Sequence, residues 1–142
     1  MINIMVAEDQ QLIRESLKII LDSIEGFAVN SVVGNGEEVL QQLEGRAVDI
    51  ILMDIRMPVM DGVECTRIVK EKYPKVHVLI LTTFLDDEYV MKALVYGASG
   101  YILKGISLGE LKYAIETTIK GGSVLNPDVG AKMVHKIGRA HV

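Results

Sequence analysis

One carboxylic acid in this 142-residue sequence stands where an acid is hardest to keep. Asp54 closes the apolar run Ile50-Ile51-Leu52-Met53 and is followed by Met57-Pro58 and Asp61-Gly62. Such a run reads as a strand buried on both faces, and an ionised carboxylate at its tip is costly without a counter-charge. Other strand-like runs also end in reactive side chains. Residues 2–7 deliver Glu8 and Asp9, residues 76–81 deliver Thr82, and residues 100–103 deliver Lys104. Parallel strands bring their carboxyl ends to one edge of a sheet, where ligands gather. Carboxylates meeting there repel by roughly 4 kcal/mol per pair at 4 Å and an effective dielectric near 20. A hard divalent cation, Mg²⁺, relieves that repulsion and completes its shell with phosphate oxygens. Lys104 would then offer a compact positive charge, and Thr82 a hydroxyl, to a phosphoryl group. The chemistry that fits is attack by Asp54 on phosphorus to give an aspartyl-phosphate.

Around these tips, strand-like runs alternate with helical periodicity. Ile13, Leu17, Ile20 and Ile24 space a first helix that Gly26 closes, leaving Leu12 and Ile19 off the stripe and open to a partner. Residues 27–33 form a second strand. Gly34-Asn35-Gly36 reads as a turn rather than a phosphate loop, leading to a helix with Val39, Leu40 and Leu43 that Gly45 stops. After a third strand at 48–54, Asp61 reads as a helix cap rather than a ligand. The helix it opens carries Cys65, Ile68 and Val69 and ends before Pro74. In the fourth strand, at 76–81, spacing to Lys104 favours Thr82 over Thr83. Asp86, Asp87 and Glu88 suit the positive end of a helix that uses Val90, Ala93 and Leu94 and stops at Gly97. Beyond the fifth strand, at 100–103, Ser107 and Glu110 have capping-box spacing. They open a helix with Leu111, Ala114, Ile115 and Thr118 on one face, ended by Gly121-Gly122. Asn126-Pro127 begins a further short helix with Val129, Met133 and Ile137, read as a connector. Five strands alternating with five helices predict an α/β fold, a doubly wound parallel sheet with right-handed crossovers.

Composition narrows the function classes. Hydrophobic residues make up 49% and the net charge is −4, which predicts one globular domain. Residues 126–142 carry Lys132, Lys136 and Arg139 against Asp128, a balance of +2 that leaves −6 on residues 1–125. An acidic body is a poor grip for DNA, and the tail is too short to build a helix-turn-helix. The single cysteine, Cys65, excludes an internal disulfide and fits the core face of its helix. His77, His135 and His141 lack ligand spacing and read as solvated. No basic leader precedes Glu8, and no apolar run approaches the roughly 18–20 residues of a membrane span. A cytoplasmic protein without membrane contact is expected.

Taken together, five segments resemble the receiver domain of two-component response regulators over about residues 2–121. They are Glu8-Asp9; Met53-Asp54-Ile55-Arg56-Met57-Pro58 with Asp61-Gly62; Leu81-Thr82; Gly97-Ala98-Ser99-Gly100-Tyr101; and Lys104. Each is weak alone, but their shared order and spacing are specific. The resemblance implies a flavodoxin-like, CheY-like fold with strand order 2-1-3-4-5 and helices on both faces. It implies Mg²⁺ as cofactor and a sensor histidine kinase as phosphoryl donor to Asp54. Asp9 and Asp54 would ligate the metal directly, Arg56 would give a backbone carbonyl, and Glu8 would help mainly through water. Thr82 and Lys104 would contact the phosphoryl group. Thr82 and Tyr101 would form a switch, Thr82 moving toward the phosphoryl group and Tyr101 rotating into the vacated space. One departure is Gly105, where many receivers follow the lysine with proline; a more mobile loop is expected.

Gly-Ala-Ser-Gly-Tyr-Ile-Leu-Lys and Gly-Gly-Ser-Val-Leu-Asn-Pro further resemble the NarL/FixJ type, whose receivers precede a LuxR-type helix-turn-helix. On that reading residues 1–122 are the receiver and 123–142 a linker helix and tail, with 138–142 an added scar. DNA would be bound only through a C-terminal domain absent from this chain. Phosphorylation is expected to promote a homodimer, through helices 4 and 5 or through helices 1 and 5. The alternative is a stand-alone receiver acting only through protein contacts. Neither reading makes the chain an enzyme; it is a phosphoacceptor that assists its own phosphorylation and dephosphorylation. A hydrolase of the haloacid dehalogenase type would need an aspartate where Arg56 stands, and no Gly-x-Gly-x-x-Gly follows the first strand.

Overall fold

The structure, a computed structural model, describes residues 1–82 and 87–122, with the side chain of Asp87 excepted. The expectations for Thr83, Asp86, the Asp87 side chain, the helix opening at Asn126-Pro127, His135, His141 and the tail lie outside the described residues. Within them, five strands and five helices alternate: β1 (Ile2–Ala7), α1 (Gln11–Asp22), β2 (Phe27–Val33), α2 (Gly36–Leu43) and β3 (Ile50–Asp54), then α3 (Gly62–Lys72), β4 (His77–Thr82), α4 (Asp87–Val95), β5 (Gly100–Leu103) and α5 (Leu108–Ile119). The strands pair in parallel in the order β2-β1-β3-β4-β5. The expected fold class and strand order are therefore observed. Chain direction across the sheet reverses beside β1, which leaves a crevice between the ends of β1 and β3.

Each central strand is apolar throughout because the sheet is covered twice. Met5, Ala7, Ile51, Met53, Val78, Ile80 and Tyr101 face α2, α3 and α4, joining Val39, Leu43, Cys65, Val69 and Val90. Their neighbours Ile4, Val6, Ile50, Leu52, Leu79, Leu81 and Ile102 face α1 and α5, joining Leu21, Leu111 and Ile115. This period-two division of a continuous apolar run is what burial on both faces produces.

Several boundaries differ from the sequence reading. In α1 the fully buried residue is Leu21, whereas Ile20 is 40% exposed. The helix ends at Asp22, four residues before Gly26, whose φ of 89° turns the chain into β2. Asp22 Oδ1 accepts from Val29 N at 2.8 Å, tying this helix end to β2. Leu12 and Ile19 are exposed, as expected. β3 begins at Ile50 rather than residue 48, β4 at His77 rather than 76, and α2 stops at Leu43 before Gly45. His77 is half-buried rather than solvated, and burial, then the Lys70 charge, pulls its pKa down against Asp49. Cys65 is fully buried, and burial pushes its thiol up to about 12.

Gly36 does more than form a turn. Asn35 caps α2, its side chain accepting from Glu38 N at 2.9 Å, and Gly36 N donates to Met60 O at 3.0 Å. A Cβ on Gly36 would meet Met60 Cγ at 2.8 Å and Cys65 Cβ at 2.9 Å. The missing side chain thus lets α2 close against the loop that follows Asp54.

Candidate functional site

Four strands deliver the site. Glu8 follows β1 directly, and its N–H donates to Val33 O at 3.0 Å, so the last ladder bonds hold it in place. Asp54 is the final residue of β3, Thr82 of β4, and Lys104 follows β5 with its N–H donating to Thr82 O at 2.8 Å. The sheet brings Glu8, Asp9 and Asp54 together: one carboxylate oxygen from each lies within 4.8 Å of the others. Glu8 is fully buried, Asp54 is 7% exposed, and Asp9 faces solvent.

Lys104 reaches across this group. Its Nζ lies 2.5 Å from Glu8 Oε2 and 3.3 Å from Asp54 Oδ2. Oε2 of Glu8 is in contact with the ammonium but receives no hydrogen bond of good direction. Its other oxygen accepts from Gln10 N at 3.1 Å. Burial, then the Glu8 charge, outweighs Lys104 and pushes the Asp54 carboxyl up to about 7. Burial draws the Lys104 ammonium down, but Glu8 and Asp54 outweigh it and leave its pKa raised. Among the described residues, Lys104 contacts two of these three carboxylates, which leaves the group under-neutralised by that lysine. The donor set is hard oxygen, and a buried carboxylate oxygen lacks a directed donor. Both features fit a divalent cation such as Mg²⁺, which Glu8, Asp9 and Asp54 could hold.

The loop after Asp54 shapes the approach. A cleft of about 450 Å³ beside the acids is bordered by Asp9, Arg56, Met57, Pro58, Asp61 and Tyr89. The Arg56 guanidinium carbon lies 5.0 Å from the Tyr89 ring centroid, joining this loop to α4. Asp61 caps α3, its side chain accepting from Glu64 N at 2.9 Å, as its sequence position predicts. Thr82 is buried at the edge of the group. Tyr101 is 1% exposed and packs on the α3 and α4 side, so in this conformation its ring is already inside.

Two residues that matter here carry no chemical signal in the sequence. Gly62 opens α3 so close to β3 that a Cβ would lie 2.0 Å from Asp54 O. Its N–H donates to Ile55 O at 2.7 Å. Arg14, on α1, donates from Nη1 to Glu8 O at 2.9 Å. The Asp-Gly pair at 61–62 was the only available cue to the first; nothing local pointed to the second.

A family model described as the response regulator receiver domain matches residues 4–116. Transcriptional regulatory protein LnrK of Bacillus subtilis (strain 168) is 41% identical over 136 residues, covering 96% of this chain and 62% of the relative. Transcriptional regulatory protein DegU of Brevibacillus brevis is 38% identical over 138 residues, covering 97% of this chain and 58% of the relative. The chain thus spans about three fifths of the length of these relatives. Among solved structures, a two-component response regulator of the LuxR family from Aurantimonas sp. SI85-9A1 aligns with a TM-score of 0.85 at 28% identity, covering 94% of this chain and 96% of that one. The signal receiver domain of the putative response regulator NarL from Mycobacterium tuberculosis aligns at 0.79 and 28%, covering 84% and 97%.

Proposed function

Because this chain belongs to the response regulator receiver family, we propose that Asp54 is its phosphoacceptor, loaded in the presence of Mg²⁺ by a sensor histidine kinase. The observation that carries the reading is the meeting of Glu8, Asp9, Asp54 and Lys104 at the strand ends. In the reaction, an ionised Asp54 oxygen attacks phosphorus and forms a new P–O bond. The bond from phosphorus to the donor's histidine nitrogen breaks, and its electron pair leaves with that nitrogen. Lys104 sits where its charge can move from the carboxylates to an equatorial phosphoryl oxygen, and Thr82 offers its hydroxyl to another. When bound, Mg²⁺ supplies neutralisation of the acids and polarisation of the phosphoryl oxygens, held by Asp9 and Asp54 with Glu8 and the Arg56 carbonyl in support. The phosphoryl group remains on the chain, so Asp54 is a substrate of signalling rather than a catalyst with a separate product.

The downstream reading follows the relatives. The curated ones are named transcriptional regulators, and this chain covers only part of their length. That favours a receiver (residues 1–122) and a linker (123–142) tethered to a DNA-binding output domain over a stand-alone receiver. Phosphorylation would select among packings of Thr82, Tyr101 and α4, with Tyr101 seated inward as it is here. Dimerisation would then pair two output domains on two half-sites. Leu12 and Ile19 on α1 and Tyr113 on α5 are exposed apolar groups on the helices that cover one sheet face. Because α4 likewise exposes Tyr89 and Val95, both pairings, through helices 1 and 5 and through helices 4 and 5, have apolar surface to use. Among the described residues no helix is long and apolar enough to cross a membrane.

Acetyl phosphate with Mg²⁺ tests the acceptor assignment, read by intact mass and elution volume on wild type and Asp54→Ala. We expect a gain of about 80 Da in wild type alone, the mass of a phosphoryl group, with a shift to dimer. A gain in both proteins, or in neither, would count against Asp54. Asp61→Ala separates cap from ligand: it should cost about 1 kcal/mol of stability and leave the mass gain intact. Loss of the gain at unchanged urea midpoint would make Asp61 part of the site.

A further inference from the structure

Arg14 lies on α1, away from the strand ends, yet its guanidinium returns to them. Nη1 donates to the main-chain oxygen of Glu8 at 2.9 Å. That oxygen belongs to the peptide plane linking Glu8 to Asp9, and a peptide plane is rigid. Holding its oxygen fixes the plane from which both acidic side chains spring.

The opposite wall of the guanidinium site is Gly34, just beyond β2. A Cβ on Gly34 would lie 2.9 Å from Arg14 Nη1, closer than real Cβ atoms approach such neighbours. Gly34 has no left-handed φ, so its backbone does not require glycine. What requires the missing side chain is the arginine. The geometry points to Arg14 as a positioning residue for the acidic cluster, with Gly34 kept bare to seat it. By orienting the Glu8-Asp9 peptide, Arg14 makes the carboxylates converge on a divalent cation; the inference rests on the metal reading above.

The sign of the effect separates positioning from charge. As a bare positive charge near three acids, Arg14 would weaken cation binding, and its removal would tighten it. As a positioning group, its removal loosens the Glu8-Asp9 peptide and weakens binding, on the scale of about tenfold seen for groups that orient metal ligands. The test is a Mg²⁺ titration followed by amide NMR shifts of the whole chain, with urea midpoints recorded alongside. Arg14→Met should bind Mg²⁺ about tenfold more weakly, and Arg14→Lys should recover part of the loss. Gly34→Ala should weaken binding with little change in urea midpoint, since only the mobile end of Arg14 must move. Its effect should vanish in the Arg14→Met background, as expected of two residues acting through one contact. Unchanged or tighter binding by Arg14→Met, or a Gly34→Ala effect that persists in full in the double variant, overturns the inference. A wild-type chain with no Mg²⁺-dependent shifts overturns the metal reading itself, and this inference with it.

Discussion

Gly62→Ala is expected to destabilise the chain by about 3 kcal/mol or more, read as a lowered urea midpoint. On local grounds the substitution should help, since alanine exceeds glycine in helix propensity by about 1 kcal/mol. The contact decides otherwise. The new Cβ would lie 2.0 Å from Asp54 O, 2.9 Å from Asp54 C and 3.0 Å from Ile55 Cα, all backbone atoms in or beside β3. None can swing away as a side-chain tip would. Either α3 retreats, losing the Gly62 N to Ile55 O bond and the packing of Val63 and Cys65, or β3 bends. Both movements displace Asp54, so any folded fraction should also accept phosphoryl poorly. A midpoint within about 0.5 kcal/mol of wild type, the range of ordinary surface substitutions, would refute the contact.

Asp54→Asn should do the reverse for stability while ending phosphoryl acceptance. Asparagine keeps the shape of the side chain and removes one of three carboxylates. Its loss takes away the 3.3 Å pair with Lys104, but that lysine keeps its closer contact with Glu8. The balance of burial and Glu8 repulsion against Lys104 already lies against an ionised Asp54, whose carboxyl is pushed up to about 7. A carboxyl raised above its unfolded value opposes folding once pH exceeds that unfolded value, and most strongly above the folded one. In EDTA at pH 8 the variant should therefore be more stable by about 2 kcal/mol, with the gain fading as pH falls through 7 toward 4. Adding Mg²⁺ should narrow the gap, because a ligand of the native state favours the chain that binds it better. A variant less stable than wild type in EDTA would mean that the Lys104 attraction dominates.

What the residues revealed in advance was governed by range. Strand tips and helix stripes are local patterns, and the acids at 8, 9 and 54 could be placed on one edge because parallel strands share a direction. The five-segment match then supplied the strand order, which no local pattern contains. Ile20 and Leu21 both fit a helical period, and only the way α1 packs on the sheet chooses Leu21 as the buried one. In the sequence Gly36 reads as a turn residue and Gly62 only as part of a helix start. Their real constraints, Met60 with Cys65 and the Asp54 carbonyl, depend on how closely two helices approach the same loop. Lys104 was assigned to an incoming phosphoryl group. Its resting contact with Glu8 follows from the depth at which Glu8 is buried, which a sequence does not display.

The contact between Lys104 and Glu8 joins the ends of β5 and β1, the last and first strands in chain order. A nascent chain therefore carries the acids at 8, 9 and 54 before their counter-charge exists. Any partly assembled sheet lacking β5 must keep those carboxylates hydrated or protonated, so it has little reason to close over them. Completion of the charge group and completion of the sheet thus become one event. That favours all-or-none assembly, and the dependence on distant residues predicts slower folding than a helical protein of this size.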